Sequence, residues 1–234
     1  MKKYDAILFD LDGTLLPMDY NAFMKGYFKM LSAAVAPCGY SYETLIPAMW
    51  KGVGAMVKND GKMSNSDRFW QVFSGIFGEK VFDDIPTFDN FYRTDFHNAV
   101  AFTSPTSLAR KIVDAARANA NKVILATNPL FPRVAIEARL SWTGLTPGDF
   151  DLITDYENSG FCKPNPQYFT DIAKKMGIDP KNSLMVGNNT LEDASASMSA
   201  GFSCYLITDC LITEGETPDC PSGTFADAVA YIEK

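Results

Sequence analysis

The stretch Tyr4–Asp5–Ala6–Ile7–Leu8–Phe9–Asp10–Leu11–Asp12–Gly13–Thr14–Leu15 decides how the chain is read. Ala6 to Phe9 is a short apolar run with a β-branched and an aromatic residue, closed by an aspartate and then a glycine. Such a run spells a buried strand of a parallel sheet running into a turn. Asp10 and Asp12 stand two apart where the strand stops. In continued strand geometry both would point to the same side. In the turn that Gly13 permits, one supplies its carboxylate and the other its backbone carbonyl. Two hard oxygen donors at the carboxyl end of a strand suit Mg²⁺, which takes one or two carboxylates together with substrate phosphate. One of two such carboxylates could attack phosphorus while the other handles the proton. An acidic strand-to-turn boundary is also a common structural feature, so the rest of the chain must decide between these readings.

Downstream, Pro17 breaks the chain, and Asp19–Tyr20–Asn21 offers a cap for a helix over Ala22 to Val35. Pro37–Cys38–Gly39 ends that helix. Ser41 caps a second one, with Glu43 and Thr44 in its first turn. Lys51–Gly52–Val53–Gly54 and Lys58–Asn59–Asp60–Gly61–Lys62 read as loops. Ser64 or Ser66 starts a third helix carrying Phe69, Trp70, Phe73 and Ile76–Phe77, and a fourth spans Phe88 to Phe96. Residues 17–101 therefore form a helical block, and helical spacing assigns its aromatics to a core.

Beyond this block, strands and helices alternate. Ser107 to Ala118 is an amphipathic helix. Lys122–Ala126 is a buried strand ending in Thr127–Asn128–Pro129. Arg133 to Leu140 is helical, Phe150–Thr154 a short strand, and Phe161–Pro166 a loop before a helix through Met176. Ser183–Val186 is a strand stopping at Gly187–Asn188–Asn189, and Asn189 or Thr190 caps a helix through Ser199. Cys204–Ile207 is the last clear strand. Asp209 to Thr224 reads as loop and Phe225 to Ile232 as the final helix. This alternation implies an α/β fold with a doubly wound parallel, Rossmann-like sheet built from residues 1–16 and 102–234. Ligands of such sheets bind beyond the carboxyl ends of the strands. Asp10 and Asp12, Thr127 and Asn128, and the stretch Asn188 to Asp193 all fall there.

The bulk properties exclude several classes. With 21 basic and 28 acidic residues in 234, a net charge of −7 disfavours nucleic acid and anionic membrane surfaces as partners. No run approaches the roughly 20 apolar residues of a membrane span. Lys2–Lys3 followed by Tyr4–Asp5 does not resemble a secretory leader. The five cysteines are therefore expected as free thiols in the cytoplasm. A single histidine, His97, and the absence of a CxxC pair argue against zinc.

Four motifs, in order and at the right strand ends, resemble those of the haloacid dehalogenase (HAD) superfamily, in its phosphatase branch with a helical cap inserted after the first strand. The first is Asp10-Leu-Asp12-Gly13-Thr14-Leu15, the second Thr127, the third Lys163-Pro164, and the fourth Gly187 through Asp193. The resemblance implies that residues 17–101 are the cap and that Asp10 is the nucleophile that forms an aspartyl-phosphate. Asp12 would act as general acid and then base, with its carbonyl on Mg²⁺. The Thr127 hydroxyl and the Asn128 backbone N–H would donate to the phosphoryl oxygens, and Lys163 would neutralise them. Asp10, Asp12, Asn188 and Asp193 would hold Mg²⁺. The fourth motif departs from the usual form, because Asn188 stands where an aspartate is normal. Its amide carbonyl still coordinates but carries no charge, so weaker metal binding is expected.

The implied activity is that of a Mg²⁺-dependent phosphatase acting on a small phosphorylated metabolite. A phosphomutase shares the same four motifs, whereas a haloacid dehalogenase has no use for a second acid at position 12. A non-catalytic binding protein of this fold has only Asn188 in its favour. The cap would set substrate choice. Lys51–Gly54 is the expected substrate loop, with Lys51 or Lys58 meeting a second anionic group.

Overall fold

The computed structural model describes residues 2–216 and 218–234. Its centre is β1 (Tyr4–Phe9), whose Ala6–Phe9 are wholly buried. Five further strands lie parallel to it: β2 (Ala120–Leu125), β3 (Leu152–Ile153), β4 (Ser183–Gly187), β5 (Ser203–Ile207) and β6 (Ser222–Gly223). They form one sheet in the order β3-β2-β1-β4-β5-β6. The order reverses at β1, so the crevice of this sheet opens at the carboxyl end of the strand that carries Asp10. Register fixes what meets there. Phe9 pairs with Leu125 on one side and Val186 on the other, which brings Asp10, Ala126 and Gly187 level.

Alternate residues of β1 face opposite layers, as strand geometry requires. Ile7 and Phe9 join the apolar cluster under α5 (Leu108–Asn119), α6 (Arg133–Trp142) and α9 (Phe225–Glu233). Ala6 and Leu8 join a second cluster with α7 (Pro166–Met176) and the short α8 (Ala196–Ser199).

The cap contributes α1 (Tyr20–Val35), α2 (Tyr42–Val57), α3 (Asn65–Phe77) and α4 (Val81–Arg93), followed by a 3₁₀ stretch, Asp95–Phe102. Asp19, Ser41 and Ser64 cap the first three through their side chains. The cap's buried aromatics belong to the same apolar cluster as Ile7 and Phe9, so one core runs from the sheet into the cap. The two chain crossings between core and cap lie side by side. Met18 bridges Thr103, and Ser104 N donates to Pro17 O at 2.7 Å.

Several local readings need correction. Lys51–Gly54 is not a loop but the interior of α2. Gly52 serves close packing there, since a Cβ would drive into the Phe69 ring. The fourth helix starts at Val81 rather than Phe88, and Pro86 lies inside it. The segment read as loop after Asp209 contains the edge strand β6. The helix after β4 begins with a π-helical turn, Thr190–Ser195. Among the described residues no helix is long and apolar enough to cross a membrane.

Candidate active site

The residues after β1 turn sharply. Gly13 has φ +85°, a left-handed value that favours glycine, and a Cβ there would collide with the Asn188 amide. This turn brings Asp10 beside Thr14 and Asn188. The Thr14 hydroxyl lies 3.1 Å from Asn188 Oδ1 and 3.4 Å from Asp10 Oδ2. The other oxygen of Asp10 accepts from Lys163 Nζ at 3.0 Å, and the same ammonium donates to Asp193 Oδ1 at 2.6 Å. Lys163 is completely buried and Asp10 is 8% exposed. Burial lifts the Asp10 carboxyl well above the usual range; Lys163 opposes the shift, and repulsion from Asp193 and Asp12 adds to it. Burial works against the Lys163 charge, but the Asp10 and Asp193 carboxylates outweigh it and raise the ammonium.

Asp193 spends both oxygens on structure. Its Oδ2 accepts from the backbone N–H groups of Asn188 and Asn189, each at 3.0 Å. Gly187 lets this side chain fold back on the end of β4, because a Cβ there would overlap the carboxylate. Asp193 therefore positions Lys163 and the fourth-motif loop, and its Oδ1, which accepts one hydrogen bond, keeps a lone pair for a metal. Asn188 is oriented by donating from Nδ2 to Cys210 O at 2.7 Å, which turns its carbonyl oxygen toward the Thr14 hydroxyl.

At the end of β2, the Thr127 carbonyl accepts from Thr154 Oγ1 at 2.8 Å and Tyr168 OH at 2.9 Å. The Asn128 side chain ties two motifs together. It accepts from Lys163 N at 3.2 Å and donates to Lys163 O at 3.3 Å and Glu192 Oε2 at 3.0 Å. Burial pushes the Glu192 carboxyl up to about 7.

Asp12 has a partner that the sequence reading missed. Its Oδ2 accepts from Nη1 of Arg139, a fully buried arginine of α6. The guanidinium lies over the Phe131 ring, 4.3 Å from its centroid, and its Nε donates to Ala135 O. Asp12 Oδ1 and Arg139 Nη2 are buried without a hydrogen-bond partner. The signal was present in the sequence: Arg139 falls on the apolar stripe of its helix, four residues after Ala135 and three after Ile136.

Asp10, Asp12, Thr127, Asn128, Asn188 and Asp193 all line one cleft of about 850 Å³ of empty space; Glu192 and Glu214 add two more carboxylates to its wall. Lys163 reaches Asp10 from beneath. Lys51 does not come to the site: it is exposed on α2 and is not among the residues lining the cleft. Five carboxylates line this cleft, and among the described lining residues there is no lysine or arginine. No three Asp, Glu, His or Cys side chains among the described residues converge as a metal cluster. The Asp10 carboxylate and the Asn188 carbonyl oxygen, which both lie within reach of the Thr14 hydroxyl and line this cleft, fit a hard cation such as Mg²⁺, which completes its shell with water and substrate phosphate.

A family model for haloacid dehalogenase-like hydrolases matches residues 4–201. The chain belongs to that family. Among its relatives, this HAD-like hydrolase is 39% identical over 67 residues to the glyceraldehyde 3-phosphate phosphatase of Methanothermobacter thermautotrophicus, a match spanning 29% of each chain. It is 24% identical over 200 residues to the pyrophosphatase PpaX of Bacillus velezensis, covering 86% of this chain and 81% of that one. In fold it is similar to the HAD-hydrolase YfnB from Bacillus subtilis bound to magnesium, with a TM-score of 0.60, 17% identity and 99% of each chain covered.

Proposed function

We propose that this HAD-like hydrolase is a Mg²⁺-dependent phosphatase that hydrolyses a small phosphorylated metabolite through an aspartyl-phosphate on Asp10. One observation carries the reading: a single buried ammonium, Lys163, holds one oxygen of Asp10 and leaves the other beside the cleft, while Asp12 stands two residues on. The names of two relatives support the substrate class. Five free cysteines, at 38, 162, 204, 210 and 220, are in keeping with a reducing compartment such as the cytoplasm.

In this reading a carboxylate oxygen of Asp10 attacks phosphorus, the bond from phosphorus to the leaving oxygen breaks, and Asp12 passes a proton to that oxygen. Arg139 holds Asp12 Oδ2, which leaves Oδ1 without a hydrogen-bond partner and free to carry the proton. Water then attacks the acyl phosphate and gives its proton to Asp12. The bond from phosphorus to Asp10 breaks, freeing phosphate and restoring both carboxyl groups. Thr127 and Asn128, at the end of β2, and Lys163 from below set the phosphoryl group in line and offset its charge. A bound Mg²⁺, held by Asp10, the Asp12 carbonyl and Asn188, would supply the positive charge that a phosphate dianion needs to enter a wall of carboxylates.

The test is phosphate release from a panel of sugar, nucleotide and aryl phosphates, with Mg²⁺ and with chelator, beside Mg²⁺ titration of the protein alone by calorimetry. Turnover that needs the metal and disappears in Asp10→Asn is the expected result. No turnover of any ester, with Asp10→Asn indistinguishable from the parent, rejects the phosphatase reading.

A further inference from the structure

The cleft above Asp10 does not end at the cap. Tyr20, Leu130 and Phe131 line it, and the same three residues line a second cavity between the cap helices and the 130–132 loop. Its wall is aromatic and aliphatic: Met24 and Phe28 from α1, Trp50 and Val53 from α2, Trp70 from α3 and Tyr92 from α4. Among the described residues that line it there is no lysine or arginine, and the one charged side chain is acidic, Asp89. Arg139 lies behind the Phe131 ring and is engaged with Asp12.

The chemistry of this wall discriminates. A second phosphate or carboxylate would lose its hydration there with no cation to replace it and with Asp89 to repel it. An uncharged ring would leave water for a close-packed aromatic surface. The cavity adjoins the reactive cleft at three shared residues, Tyr20, Leu130 and Phe131, which puts it within reach of a group attached to a phosphate at Asp10 by a short linker.

We propose that this cavity is the leaving-group pocket and selects phosphomonoesters whose alcohol carries an uncharged aryl or bulky alkyl group, against those bearing a second anion. The proposal rests on the phosphatase reading for its chemistry. Its substrate class differs from those named for the pyrophosphatase and the glyceraldehyde 3-phosphate phosphatase to which the chain is related.

The experiment compares 3-phenylpropyl phosphate, propyl phosphate and phosphoglycolate in kcat/KM, and the non-hydrolysable phosphonates of the first two in Kd by calorimetry. The two propyl esters release alkoxides of closely similar acidity and differ by the ring. A preference of about tenfold or more for the phenyl compound in both measurements is expected, since burying a ring is worth that much. Phosphoglycolate should fall below propyl phosphate. Val53→Phe, which fills the cavity, should bring the ratio close to one. Trp50→Ala, at the exposed rim, should lower it about threefold, and it serves where Val53→Phe fails to fold. Equal rates and affinities, a preference for phosphoglycolate, or phosphonates that do not bind would overturn the pocket. If esters turn over without discrimination, the pocket fails and the phosphatase reading stands. If the phosphonates discriminate but no ester turns over, the pocket stands and the phosphatase reading fails.

Discussion

Asn188 works in two directions at once. Its carbonyl oxygen accepts from the Thr14 hydroxyl, while its amide nitrogen donates to Cys210 O. Asn188→Asp adds the missing negative charge but turns a donor into an acceptor facing a carbonyl. The expected outcome is tighter Mg²⁺ dependence, with the half-saturating concentration about tenfold lower, beside a stability loss of about 1–3 kcal/mol from the unmatched acceptors. Mg²⁺ titration and urea melts of the two proteins check both halves. Lys163 shows how far residue-scale reading reaches. A basic residue before a proline was visible in the sequence, but its complete burial between Asp10 and Asp193 depends on strands that meet only in the folded sheet. Arg139 was missed because a lone arginine in an amphipathic helix normally lies on the wet face. Its partner Asp12 stands 127 positions away.

At the scale of elements, most strands and helices were legible because each carries a period or a cap. The failures have physical causes. β6 is only two residues long and can show no alternation. In α2, the two glycines signal a turn in the sequence, yet Gly52 permits a close helix crossing. The two glycines of that helix make opposite predictions. Gly52→Ala should cost about 1–3 kcal/mol, because the new methyl overpacks against Phe69. At Gly54 a Cβ would meet nothing within 4 Å, so Gly54→Ala should stabilise by about 0.5–1 kcal/mol through helix propensity. Thermal or urea denaturation of the pair separates packing from propensity.

Another element-level contact reads out in acid. Arg110 of α5 grips Asp149, in the turn before β3, with two bonds of 2.6 and 2.9 Å. With Thr146 also donating to it, the Asp149 carboxyl is held down to about 2. A depressed carboxyl contributes stability above its unfolded value near 4 and loses that contribution as pH falls toward 2. Asp149→Asn should therefore cost about 1–2 kcal/mol at pH 7, allowing for the partly exposed arginine. The difference from the parent should shrink below pH 4 and vanish near pH 2, as urea melts across that range would show.

At the scale of the molecule, the cap is fastened to the core at a second place besides its paired crossings. Asn65, at the start of α3, is wholly buried. Its amide donates to Pro129 O at 3.2 Å and to Cys162 Sγ at 3.2 Å, and its oxygen accepts from Asn59. Pro129 follows Asn128 and Cys162 precedes Lys163, so one cap residue braces the loops of both motifs. Asn65→Ala should cost about 1–3 kcal/mol and shift kcat and KM together, although Asn65 is not among the residues lining the cleft. A loss confined to stability, with kinetics unchanged, would separate the brace from the chemistry. The capping serines, Ser64 or Ser66, mark a helix start around this residue, but which core loops it touches is set by how the cap docks, and sequence periodicity does not encode docking.

The neighbouring crossings at Pro17–Met18 and Thr103–Ser104 have a bearing on descent. Because the chain departs and returns at almost one point, the sheet's connectivity is the same with or without the intervening helices. A lineage could acquire, discard or exchange that insert without rethreading a strand, and leave the aspartates of β1 in place. What each exchange would have to rebuild is the apolar surface the insert shares with the sheet. In such a history the reaction is inherited and the choice of ester is renegotiated.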